Sequence, residues 1–316
     1  MREGASFPGR AASRRAFLAE ASLATAAAAC GRVARAAEPW RPNWILSSAL
    51  YGTFPLADIL PEVAKTGAGM IDLWPKPHGT QREEVDSLGA GKVRELLAAA
   101  GVRLGGIASY MVGPFRLAEE FAVAKKLGGA GTVLVTMAPG DGAATGTALE
   151  AAIDAFLEKL RPSIEAAKAD DGAIAIENHS HSLIATPAAV RLFAERATHD
   201  RVGIALAPHH LPQDGELVAA LARDLGPKLK FVYAQQHGKG SQEKLPKEDE
   251  LLQLPGRGPL DFGPLMRQLA DMRFAGPIEI FMHPVPRGVP ILPSVAEITT
   301  EINRARAHLE GLVPRA

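Results

Sequence analysis

Short apolar runs bounded by glycine or proline alternate with amphipathic, Ala-, Leu- and Glu-rich stretches along nearly the whole chain, and no other feature constrains its fold so tightly. A strand that reads as one apolar run is buried on both faces, and the helix after it supplies the cover. The alternation therefore predicts repeated βα units and a parallel sheet. Eight runs fit: Trp44 to Leu50, Met70 to Trp74, Leu104 to Tyr110, Thr132 to Met137, Ala173 to Asn178, Val202 to Ala207, Leu229 to Gln235 and Pro277 to Met282. Helices are expected between them, among them 57–66, 92–100, 148–168, 187–196 and 262–272, with 295–309 closing the chain. Eight units in 316 residues predict an α/β fold built as a single (β/α)8 TIM barrel. Thr186-Pro187 reads as an N-cap with proline in the first turn, and Gly67, Gly101 and Gly276 stand where helices turn back toward strands. The one long irregular segment, 238–259, follows a strand and is expected to cover a site.

The first residues read differently. Met1 to Arg15 carries four arginines against one acid, then Ser13-Arg14-Arg15-Ala16-Phe17-Leu18 leads into an alanine-rich apolar stretch. That is the pattern of a bacterial twin-arginine (Tat) export signal, with Ala34-Arg35-Ala36 as cleavage site. The expected boundaries are a signal peptide over 1–37 and the barrel over 38–316, with a periplasmic or secreted location. The stretch is too short and alanine-rich to span a membrane. Cys30 follows Ala27-Ala28-Ala29, a poor lipobox, so a lipid anchor there is disfavoured.

Charge and cysteine content exclude other classes. Lys+Arg 35 against Asp+Glu 35 argues against a nucleic-acid partner or a membrane-surface role. One cysteine allows no internal disulfide and no zinc-finger spacing, which leaves His, Asp, Glu or amide oxygens to hold any metal.

In a barrel, chemistry sits at the C-terminal ends of the strands. Six of the nine histidines, His179, His181, His209, His210, His237 and His283, fall at or just past the ends of strands five to eight. Strand five ends Ile176-Glu177-Asn178-His179 and strand eight reads Ile278-Glu279-Ile280, each placing an acid inside an apolar run. A barrel strand has no exposed face, so Glu177 and Glu279 each need a partner: a cation, a proton or a basic side chain such as Lys230. His179, His209 and His283 are candidate substrate contacts, as are Lys244 and Arg257 of the long segment.

At these residues the chain resembles the sugar phosphate isomerase/epimerase superfamily, the xylose isomerase-like barrels. The strand-five acid, the strand-six ending Ala207-Pro208-His209-His210, the turn Gly256-Arg257-Gly258-Pro259-Leu260-Asp261-Phe262 and the strand-eight acid carry the resemblance. It implies a divalent cation (Mg²⁺, Mn²⁺, Co²⁺ or Zn²⁺) held at Glu177, at Glu279 and at the strand-seven position Gln235, with His210 and His237 as further ligands. It also implies that Glu177 and Glu279 trade a proton through an enediolate, with His210 in the catalytic group. Ala207 stands where the family pattern has an aspartate, and Gln235 where it has a histidine, which leaves imidazole to favour a transition metal. The expectation is an exported isomerase or epimerase of a small carbohydrate, with alanine-rich helices compatible with a homo-oligomer. Alternatives are a lyase or dehydratase on keto-sugars or 3-keto-glycosides, and a sugar-binding barrel without catalysis.

Overall fold

The structure, a computed structural model, describes Met1, residues 39–237 and residues 246–314. The expected leader beyond Met1, with Cys30, and the loop residue Lys244 lie outside the described residues.

Eight parallel strands close on themselves in chain order: β1 (Asn43–Ser47), β2 (Met70–Leu73), β3 (Arg103–Ala108), β4 (Val133–Met137), β5 (Ala173–Glu177), β6 (Val202–Leu206), β7 (Leu229–Ala234) and β8 (Pro277–Ile280). Closure is made by β1 against β8, with Ile45 opposite Glu279. The expected single (β/α)8 barrel is the fold. Leu134, Val135, Ile174, Ala175 and Ile176 are all 0% exposed, although consecutive residues of a strand point to opposite faces. Nine α-helices among the described residues supply the outer cover: α1 (Leu56–Val63), α2 (Gln81–Leu88), α3 (Ala90–Ala100), α4 (Leu117–Lys126), α5 (Gly146–Ala169), α6 (Pro187–Arg196), α7 (Gly215–Leu225), α8 (Gly263–Asp271) and α9 (Val295–Gly311). None is long and apolar enough to cross a membrane.

Strand ends fall short of the apolar runs. The run from Trp44 continues to Leu50, but Ser48–Tyr51 is a 3₁₀ turn, itself fully buried. Burial persists past the last ladder bond, so hydrophobicity does not mark where pairing stops. The residues just beyond the ladder can therefore aim side chains across the mouth.

Helix ends follow local chemistry. Thr186 Oγ1 accepts from the Ala189 amide, and Asp214 Oδ1 accepts from the Glu216 and Leu217 amides. Gly67 and Gly101 end their helices in the left-handed region, at φ 75° and 65°. Gly276 does not share that role. A Cβ there would sit 2.9 Å from the Lys230 carbonyl and closer still to the Phe274 ring, so the position needs room rather than an unusual φ.

One buried ion pair ties the helical layer together on the β2–β3 side. Arg82 of α2 donates Nε and Nη2 to both oxygens of Glu120 in α4, at 2.7 and 2.9 Å. Removing one partner strands the other charge away from water. Arg82→Ala is expected to cost on the order of 3 kcal/mol in urea unfolding, and Arg82→Ala/Glu120→Ala less than the sum of the two single variants. Additive losses would show that the pair is not coupled.

Candidate functional site

Glu177 is the last residue of β5, opposite Met137 of β4 and Ala205 of β6, and it is 4% exposed. Asn178, fully buried beside it, locks β5 to β6. Its Nδ2 donates to the Ala207 carbonyl at 2.9 Å and its Oδ1 accepts from the Ala207 amide at 2.8 Å. That clamp sets the 3₁₀ turn Pro208–His210 directly over Glu177. The Nε2 atoms of His209 and His210 then lie 3.7 and 3.8 Å from Glu177 Oε1. Gln213 steadies the same turn, donating to the Pro208 and Leu211 carbonyls and accepting from the His237 amide.

Ser180 orients two of the imidazoles. Its carbonyl meets His179 Nδ1, and its hydroxyl lies 3.1 Å from His210 Nδ1. The Ser180 carbonyl can only accept, so the neutral His179 carries its lone pair on Nε2, and the Ser180 hydroxyl can accept from His210 Nδ1 in the same way. His210 Nε2 has no hydrogen-bond partner among the described residues, and neither do the ring nitrogens of His209. Burial holds the imidazoles of His179, His209, His210 and His283 below the ordinary histidine range, so they stand neutral. Burial pushes the Glu177 carboxyl up to about 8, against the pull of the Tyr110 hydroxyl and the Arg287 charge.

A second carboxyl cluster lies deeper. Glu279 of β8 faces Asp72 of β2, and neither oxygen of either carboxylate has a hydrogen-bond partner among the described residues. Ser47 and Trp74 lie beside them. Burial raises Asp72 to about 7, and burial together with the Asp72 charge raises Glu279 well above the carboxylate range. The partner of Glu279 is thus another acid rather than Lys230, and burial together with like charge favours the protonated forms of the two. Asp72 was open to the rule applied to Glu177, since it too interrupts an apolar run, Met70-Ile71-Asp72-Leu73-Trp74.

Above these groups opens a cavity of about 180 Å³ lined by Trp74, His78, Tyr110, Met137, Glu177, His179, Phe281, His283 and Arg287. Trp74 and Phe281 stack at 4.6 Å, and the Tyr110 and Tyr233 hydroxyls pair at 3.1 Å. Sequence patterning found Glu177, His179 and His283. It missed Trp74, His78, Tyr110 and Arg287, which come from the segments after β2, β3 and β8 with no shared motif. Glu279 is not among the lining residues.

The other expected residues are placed elsewhere. Gln235 Nε2 donates to Gln253 Oε1 at 2.8 Å, leaving its Oε1 bare. Gln253 also bonds the His283 amide and carbonyl, and Glu250 holds the Val285 amide, so the 3₁₀ helix Lys247–Gln253 braces the exits of β7 and β8. The described part of the long segment, from Pro246 on, therefore braces the mouth. Arg257 does not reach the cavity: it grips both oxygens of Glu301 in α9 at 2.6 and 2.7 Å, which is a structural pair. Its basic turn pattern in the sequence reflects that anchoring.

The family position for a cation can be compared with these residues. Ala207 offers no ligand atom, Gln235 is tied to Gln253, and Glu279 is turned to Asp72, so that set does not fit. Glu177, His179 and His210 do fit, with one ligand atom each within 4.8 Å of one another. Ligands sharing an ion at about 2.1 Å stand roughly 3.4 Å apart in tetrahedral geometry. The 3.8 Å between His210 Nε2 and Glu177 Oε1 is close to that.

Fold and mouth together define a (β/α)8 barrel with a carboxylate- and histidine-lined cavity at the C-terminal ends of its strands. The chain belongs to the xylose isomerase-like TIM barrel family, whose model matches residues 60–304. Solved structures with the same fold include D-psicose 3-epimerase with D-tagatose from Clostridium cellulolyticum H10, at TM-score 0.63 and 14% identity, over 85% of this chain and 99% of that one. The IOLI protein with a zinc atom matches at TM-score 0.64 and 14% identity, over 84% and 97%. The probable 3-DHS dehydratase AsbF from Bacillus anthracis matches at TM-score 0.62 and 12% identity, over 85% and 98%. No curated protein sequence matches the chain.

The raised carboxyls fix a pH dependence. Between the ordinary carboxylate range and about pH 7 to 8, the folded protein holds protons on Asp72 and Glu177 that the unfolded chain has released. Stability therefore falls as pH rises through that window, by at most about 1.4 kcal/mol per unit for each group. The unfolding midpoint of the metal-free protein is expected to drop from about pH 5 to about pH 8, and Asp72→Asn to flatten the drop. A midpoint that stays level in both would contradict the buried-carboxyl account.

Proposed function

We propose that the protein is a divalent-cation-dependent carbohydrate isomerase, with the cation at Glu177, His179 and His210. One observation carries this reading: Glu177, His179 and His210 each offer a ligand atom within 4.8 Å of the others, with Ser180 against the Nδ1 atoms of both imidazoles. The bound cation would supply Lewis-acid polarisation of a carbonyl and its neighbouring hydroxyl.

The chain's own residues do the rest. Glu177 removes the proton on the carbon beside the carbonyl, the electron pair moves to oxygen to give an enediolate, and the proton returns to the neighbouring carbon. The Tyr110 hydroxyl, beside Glu177, donates to the developing oxyanion. Trp74 and Phe281 form an apolar wall for the sugar and exclude water. With Glu279 paired to Asp72 beneath that wall, one carboxylate faces the substrate. A single base transfers the proton on one face, which suits aldose–ketose isomerisation better than epimerisation, where two faces must be served. The same base also suits β-elimination from a keto-sugar, which keeps the dehydratase reading as the second one. The twin-arginine pattern of residues 1–37 extends the proposal to an exported enzyme working on periplasmic carbohydrate, with the barrel as the mature protein.

The test is elemental analysis together with deuterium uptake into ketoses from D₂O. One equivalent of transition metal and exchange are expected in the wild type. Glu177→Gln should lose both, and Glu279→Gln should retain the metal. Exchange that survives Glu177→Gln would overturn the assignment, and metal without exchange would leave a binding protein. Because a proton must leave Glu177 before the cation enters, affinity should climb up to about tenfold per pH unit below pH 8 and level off above it.

A further inference from the structure

His78, His283 and Arg287 line the same cavity as Glu177, and none of these has a role in the proton transfer. Arg287 Nη1 lies 2.8 Å from His78 Nε2 and 3.5 Å from His283 Nδ1. Both imidazoles are pushed below the ordinary range, His78 to about 3, by burial first and then by the guanidinium. They accept from Arg287 without neutralising it. No carboxylate stands within ion-pair distance of Arg287 among the described residues, whereas Arg82, Arg196, Arg201, Arg257 and Arg304 each hold one. A guanidinium presents five donors in a planar fork, and here most of them are left for a ligand.

The fork is also held in place. The loop that carries it runs between two close backbone contacts. A Cβ on Gly288, at φ 83°, would stand 2.6 Å from the Pro77 carbonyl oxygen, and one on Gly52 would stand 2.4 Å from the Pro290 nitrogen. The Val285 amide is bonded to Glu250 and the Ile291 amide to the Leu50 carbonyl. A loop fixed at both ends loses little freedom when its arginine engages a ligand.

Charge completes the argument. With a divalent cation on Glu177, the neutral imidazoles and Arg287 leave the mouth with a net positive charge in a partly desolvated cavity. A neutral sugar does nothing to offset it, and an anionic one does. We infer that the substrate is a carbohydrate bearing an anionic group, a carboxylate or a phosphate, and that Arg287 with His78 and His283 forms the subsite that selects it. This inference rests on the proposed reading of the cavity as a carbohydrate site.

Calorimetric titration of the cation-loaded protein tests it with three probes: D-fructose, the ketouronic acid D-tagaturonate and D-fructose 6-phosphate. At least one anionic sugar is expected to bind on the order of ten- to a hundredfold more tightly than D-fructose, with the preference falling as salt is added. Which anion is preferred identifies the group. Arg287→Met should cost the anionic sugar at least about tenfold more affinity than it costs D-fructose, and Arg287→Lys should recover part of the difference. Equal affinity for all three probes, or equal losses in Arg287→Met, would overturn the inference. Metal content and deuterium exchange, measured on the same samples, report separately on the proposed function. An intact anion preference without metal or exchange would fail that reading alone, and intact metal without anion preference would fail this inference alone.

Discussion

A carboxylate inside a closed parallel barrel has no water to turn to, and that constraint organises the whole mouth of this protein. Glu177 and Glu279 sit on strands covered on both faces, so each must find a cation, a proton or a donor. The two solve the problem differently. Glu279 meets Asp72 away from the residues that line the cavity, and burial favours its protonated form. Glu177 meets imidazoles whose free nitrogens have no other partner, which is an arrangement that a cation completes.

The supporting structure follows from this division. Asn178 clamps Ala207 and so places His209 and His210 over Glu177, while Ser180 sets the orientation of His179 and His210. On the other side, Gln253 takes up Gln235 and the backbone of His283. The side of the mouth between β7 and β8, where the family resemblance implies ligands, is thereby filled by amide hydrogen bonds. The candidate cation ligands Glu177, His179 and His210 lie past the ends of β5 and β6. On the proposed reading, Ala207 and Gln235, where the family pattern has an aspartate and a histidine, mark a relocated cation site.

The barrel was legible in the sequence because eight apolar runs alternating with amphipathic helices, in a chain of this length, suit a closed parallel sheet covered on its outer face. The acids Glu177 and Glu279 were legible for the same reason, as polar interruptions of those runs. What was not legible is which of them faces ligand, because that depends on Asp72, three βα units away from Glu177 and at the far end of the chain from Glu279. Arg257 illustrates the converse. It sits in a turn that resembles the family pattern, yet Glu301 on the last helix takes its charge. Arg287 gave no signal, since a lone arginine in Pro286-Arg287-Gly288 reads as an ordinary turn until the folded loop brings His78 beside it.

The most direct test of the relocated site is a crystal soaked in Co²⁺ and measured at the cobalt absorption edge. The account predicts one anomalous peak between Glu177, His179 and His210, lost in His179→Ala. A peak beside Gln235 and Glu279, or no peak at saturating Co²⁺ above pH 8, would contradict it.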